Sequence, residues 1–112
     1  MADLDSVSLT GAGYTFTPYS GFTAVSLASQ RFGPLVKLLV EVQTSTPRAA
    51  GQVNVGRWNL TTSVHGLGAG RISTANGVYE GTCQVAGNGE VRFYGSTPNA
   101  TKFWGVVWML LA

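Results

Sequence analysis

The run Lys102–Ala112, KFWGVVWMLLA, carries no charge over its last ten residues and holds Trp104 and Trp108. Crossing a bilayer as a helix takes about 20 apolar residues, and the segment before this run is polar, so membrane insertion is not expected. Taken as a strand, successive side chains point to opposite faces. Phe103, Gly105, Val107, Met109 and Leu111 share one face; Trp104, Val106, Trp108, Leu110 and Ala112 share the other. A strand with one wet face alternates apolar and polar residues, whereas this one is apolar on both. One face therefore belongs to a core. The other, with two tryptophans, forms a patch of the kind that marks an interface, and Trp104, Val106, Trp108 and Leu110 are expected to meet other copies of the chain around a symmetry axis. A central strand covered by two layers of one domain is the alternative.

The remaining sequence supports an all-β reading. Leu35–Val42 (LVKLLVEV) places Val36, Leu38, Val40 and Val42 on one face, between the breakers Gly33-Pro34 and Thr46-Pro47. Phe22–Ser29 is small and β-prone, and Tyr14–Tyr19 is an aromatic/Thr alternation interrupted by Pro18. Proline donates no ladder hydrogen bond, so that piece is expected at a sheet edge. Gly77–Val85 and Glu90–Tyr94 are joined by Ala86-Gly87-Asn88-Gly89, and an Asn-Gly pair between alternating segments signals a hairpin. Val53, Val55 and Leu60 mark a short strand, and His65-Gly66-Leu67-Gly68-Ala69-Gly70 reads as a flexible glycine-rich turn. The expectation is about seven or eight short strands in a small antiparallel barrel or sandwich.

Composition agrees. The chain has 112 residues, the size of one domain, with residues 1–10 extended or linker-like; only 11% of it is charged, against about 25% in an ordinary soluble domain. Fifteen glycines suit many tight turns. The net charge of +2 comes from scattered basic residues, and Arg31, Lys37, Arg48, Arg57, Arg71, Arg92 and Lys102 form no stripe for nucleic acid. The opening MADLDSVSLTG lacks the basic and apolar regions of a signal peptide. Asn59-Leu60-Thr61 and Asn99-Ala100-Thr101 match the glycosylation sequon, which carries no weight without such a signal.

Catalytic chemistry finds little material. Cys83 is the single cysteine and His65 the single histidine, so neither a thiolate metal site nor a triad with a nucleophile elbow is drawn in the sequence. Glu80 and Glu90 flank a hairpin where solvated charges are ordinary. No cofactor or metal is implied, and the chain is expected not to be an enzyme. Binding fits better. Asn54, Arg57, Trp58, Asn59, His65 and Arg71 lie in the segment richest in glycine, and an aromatic platform with planar amide, guanidinium and imidazole groups suits a sugar.

The order of GFTAVSLASQRFGPLVKLLVEV, the glycine-rich middle, the GNGEVRFYG hairpin and the final FWGVVWMLL resembles the C-terminal head domains of bacteriophage tail receptor-binding proteins, best known from phages of lactic-acid bacteria. The resemblance implies a homotrimeric β-barrel head on the virion tail tip, attached to other tail or baseplate proteins and adsorbing to host cell-wall saccharides. It implies a site of Trp, His, Arg and an acid: Trp58, His65, Arg57 or Arg71, with Asn59 beside them. No Asp follows Asp5, so the acid falls to Glu41, Glu80 or Glu90, with Glu80 in the expected set. Such heads follow shoulder and neck segments, so the sequence is expected to be a piece of a longer protein or a short tip protein. A ligand-free trimerisation or capping domain of a virion fibre is the alternative.

Overall fold

A computed structural model of the chain describes the backbone of residues 14–111 and the side chains of these except 63–65. The expected linker at 1–10, the His65 side chain and Ala112 lie outside the described residues. Eight strands are present among them: β1 (Phe16–Pro18), β2 (Phe22–Phe32), β3 (Leu35–Arg48), β4 (Gly51–Trp58), β5 (Thr62–Thr74), β6 (Gly77–Val85), β7 (Glu90–Gly95) and β8 (Ala100–Leu111). They form one antiparallel sheet in the order β1-β4-β7-β6-β5-β8-β3-β2, curled into a nearly closed barrel. The seam lies between β1 and β2. There the Tyr19 N–H donates to Val55 O at 3.0 Å and the Phe22 N–H to Tyr19 O at 3.0 Å, and Pro18 sits on the edge strand.

The two-faced reading of the terminal run describes β8. Phe103, Val107, Met109 and Leu111 are buried, and they pack with Val36, Leu38, Val40 and Val42 of β3, Cys83 and Val85 of β6, and Val91 and Phe93 of β7. Phe93 and Phe103 are 5.4 Å apart between ring centroids, tilted as aromatic pairs prefer. Trp104, Val106, Trp108 and Leu110 face outward, with Trp108 47% exposed.

Two expectations are corrected. The glycine-rich segment is no flexible turn; it is the middle of β5, paired to β6 through Gly66↔Val85 to Gly70↔Gly81 and to β8 through Leu67↔Trp108 to Gly70↔Gly105. Glycine recurs there because the neighbours leave no room: a Cβ on Gly68 would overlap the carbonyl oxygen of Val106. Thr46-Pro47 does not end β3, which runs on to Arg48. The β3–β8 pairing is irregular between Gln43 and Arg48, so the N–H that Pro47 lacks falls where the ladder is already interrupted. The expected hairpin stands between β6 and β7, with Gly87, Asn88 and Gly89 as its loop. Ala86 and Glu90 close it through Ala86 N–H to Glu90 O at 2.9 Å, Gly89 N–H reaches Ala86 O at 2.9 Å, and Gly89 alone takes positive φ, at 87°.

Candidate functional site

Because outward residues recur every second position, neighbouring strands line them up in rows across the barrel. One row runs Glu80 (β6), Arg71 (β5), Trp104 (β8), Glu41 (β3). The Arg71 guanidinium carbon stands 5.6 Å from the centroid of the partly exposed Trp104 ring, within cation–π range. Two hollows open beside this pair. One, of about 390 Å³, is bounded by Arg71, Trp104, Glu41, Ser73 and Lys102; the other, of about 380 Å³, by Arg71, Trp104, Glu80 and Val106. Among the described residues Arg92–Glu90 is the only ion pair, so the carboxylates of Glu41 and Glu80 keep acceptor sites for something else. The place combines an apolar ring with donors on Arg71 and Lys102 and acceptors on Glu41 and Glu80.

Next to it the outer face turns apolar. Leu67, Trp108 and Lys37 form one row and Ala69, Val106 and Leu39 the next, with Leu110 opposite Leu35 beyond. Leu67 is 66% exposed, and Lys37 Nζ lies 5.8 Å from the Trp108 ring centroid. The outer face of β8 is thus continuous with apolar positions on β5 and β3.

The structure divides the site expected from sequence. Arg71 and Glu80 sit on adjacent strands in the row above. Arg57 and Asn59 lie at the end of β4, with β7 and β6 between them and β5. Trp58 is corrected as a sugar platform: its indole is 1% exposed and packs on Phe16 at 5.5 Å between centroids, so its face is closed to a ligand. The cause is a bulge. Pairing of β4 with β7 slips between Asn54 and Gly56, burying both Val55 and Gly56 and turning Trp58 inward and Arg57 outward. Asn54 accepts a hydrogen bond from Gln52 Nε2 at 2.8 Å. Glu90, weighed above as the acid, is engaged elsewhere: Tyr19 Oη donates to its Oε2 at 2.6 Å and Arg92 Nε to its Oε1 at 2.6 Å. The Tyr19 hydrogen bond first, then that of Arg92, holds its carboxyl below the usual glutamate range.

Lys102 and Ser73 were missed as site residues, and Trp104 was expected at an interface between copies instead. Their only signal in the sequence is outward parity, and it becomes a site only once β8 lies between β5 and β3. Comparison with known proteins finds no matching family, no matching curated protein and no matching solved structure. The geometry stands alone.

Proposed function

We propose that the chain is a receptor-binding head that recognises host cell-surface saccharides, and that the saccharide docks on the outer face at Arg71 and Trp104. The observation that carries this reading is the row Glu80–Arg71–Trp104–Glu41, with the guanidinium 5.6 Å from the ring centroid. The apolar C–H face of a pyranose packs on an indole, while its hydroxyls take hydrogen bonds from Arg71 and Lys102 and give them to Glu41 and Glu80. Charged partners make these stronger than neutral hydrogen bonds. Hydrolysis is not the favoured chemistry. Three strand spacings of about 4.8 Å separate the backbones carrying Glu80 and Glu41, roughly 14 Å, while paired glycosidase carboxylates stand about 5–9.5 Å apart.

In this proposal the neighbouring face of Val106, Trp108 and Leu110 joins three copies, and the head belongs to a phage tail tip anchored to other tail or baseplate proteins. Three sites on one head turn weak single contacts into avidity for a repetitive polysaccharide. The nearly closed barrel and the apolar outer face support it. Loss of Trp58 from the exposed surface favours a second reading, a ligand-free trimerisation or capping domain with the same apolar face.

The test is a glycan array and host-cell adsorption assay with the native chain, Arg71→Ala and Glu80→Gln, each checked by light scattering for its oligomeric state. Saccharide hits on the native chain that fall at least tenfold in both variants, with association unchanged, support the proposal. An array without hits favours the capping domain; equal binding by Arg71→Ala sinks the site.

A further inference from the structure

The arginine and asparagine that the fold separates from the Arg71–Trp104 row have surroundings of their own. Two adjoining hollows at the end of β4, of about 380 and 370 Å³, share Arg57 and Asn59, with Tyr14 beside one and Tyr19 beside the other. Both shared side chains are held by one end. Arg57 Nε donates to Asn88 O at 2.8 Å, and its two terminal amino groups make no hydrogen bond among the described residues. Asn59 Oδ1 accepts from the Thr15 N–H at 2.7 Å, and its NH₂ group makes no hydrogen bond among the described residues. The amide oxygen is turned toward the Thr15 backbone.

No carboxylate lines either hollow among the described residues. Glu90 is opposite Arg57 in the ladder, yet its two oxygens are taken by Tyr19 and Arg92. Two arginines therefore face one carboxylate, and one positive charge is left over locally. A neutral sugar needs acceptors as well as donors. A site that offers a guanidinium fork and an amide NH₂, with no charged acceptor, matches a planar or tetrahedral anion.

We propose that this pocket is a second binding site, separate from the Arg71–Trp104 hollows, for an anionic group: a carboxylate or a phosphate ester. Arg57 grips two oxygens with its terminal amino groups, and Asn59 donates to a third position on the same ligand.

The test uses the full chain, ¹⁵N-labelled, titrated in low salt with trigalacturonate, with glycerol 3-phosphate and with neutral maltotriose. The Asn59 side-chain NH₂ and Arg57 Nε–H signals are expected to move and saturate with at least one anion, and to stay still with maltotriose. Trigalacturonate alone identifies a uronate ligand, and glycerol 3-phosphate alone a phosphate ester. Arg57→Gln is expected to weaken binding at least tenfold. Asn59→Asp retains the acceptor for Thr15, keeping the fold, but replaces the donor by a negative charge and is expected to abolish binding. Signals unmoved by either anion, or an Asn59→Asp variant that binds as tightly as the native chain, overturn the proposal. Either result leaves saccharide binding at Arg71 and Trp104 untouched.

Discussion

Tyr19 and Glu90, 71 positions apart in the chain, meet in a 2.6 Å hydrogen bond that ties the link between β1 and β2 to strand β7. With the backbone bond from Tyr19 to Val55, it fastens the barrel where the sheet ladder stops. A phenol that donates a hydrogen bond to a carboxylate is pushed above its usual pKa, and the carboxylate is pulled below its own.

Tyr19→Phe removes this bond and should cost about 1.5–3 kcal/mol of stability at neutral pH, the range for a hydrogen bond to a charged group. The sign of the pH dependence follows from Glu90. Its folded pKa is depressed, so its contribution is present above the unfolded value of about 4.3 and is lost as pH falls through the folded value. Urea unfolding between pH 7 and 3 should show the native chain losing stability over the acid end of that range. The variant should lose less, because only Arg92 still holds the carboxylate.

Cys83 is wholly buried, and burial pushes its thiol up to about 12. At pH 8 the thiolate fraction is then roughly a thousandfold below that of an ordinary cysteine. A disulfide reagent such as DTNB should leave the folded chain unmodified and react fully in denaturant. Rapid labelling of the native state would contradict the packing around β6.

Gly68→Ala should destabilise the barrel by about 1–3 kcal/mol or more, the cost of forcing atoms into a filled space, because the new methyl overlaps the Val106 carbonyl and β5 must move off β8. Ala69→Ser, one position along on the exposed face, should stay within about 0.5 kcal/mol. Paired thermal melts decide the matter.

Trp58 and Trp108 should separate folding from association. Trp58→Ala empties a core site and should cost about 3–5 kcal/mol. Trp108→Asp places a charge on the outer face, so it should spare the fold and break the proposed trimer. Melting temperature and light scattering read the two effects apart.

Alternation made β3, β6, β7 and β8 legible, since each keeps a strict period of two over its buried stretch. The two apolar faces of β8 were legible for the same reason. The glycines of β5 hid a strand: their cause is close approach of backbone on both sides, Thr82 of the next strand and Val106 of distant β8, which no local pattern shows. Trp58 was misread because its glycine-rich surroundings suggested a loop, whereas the segment is strand β4 and the bulge between Asn54 and Gly56 turns Trp58 inward. The candidate site was the least legible feature. Arg57, Asn59 and Arg71 are neighbours in sequence, but adjacency in a sheet follows strand order, which paired Arg71 with Trp104 instead.

Strand order also bears on how the chain is made. β8, the last of the eight to leave the ribosome, lies between β5 and β3. Until it arrives, the nascent chain holds two unjoined pieces, β2–β3 and β1-β4-β7-β6-β5, each presenting an open edge. The buried faces of Val36 to Val42 and of Cys83 to Phe93 wait uncovered for Phe103, Val107 and Met109. Closing the barrel is therefore a late, non-local step, and these eight strands are most exposed to aggregation just before β8 is delivered.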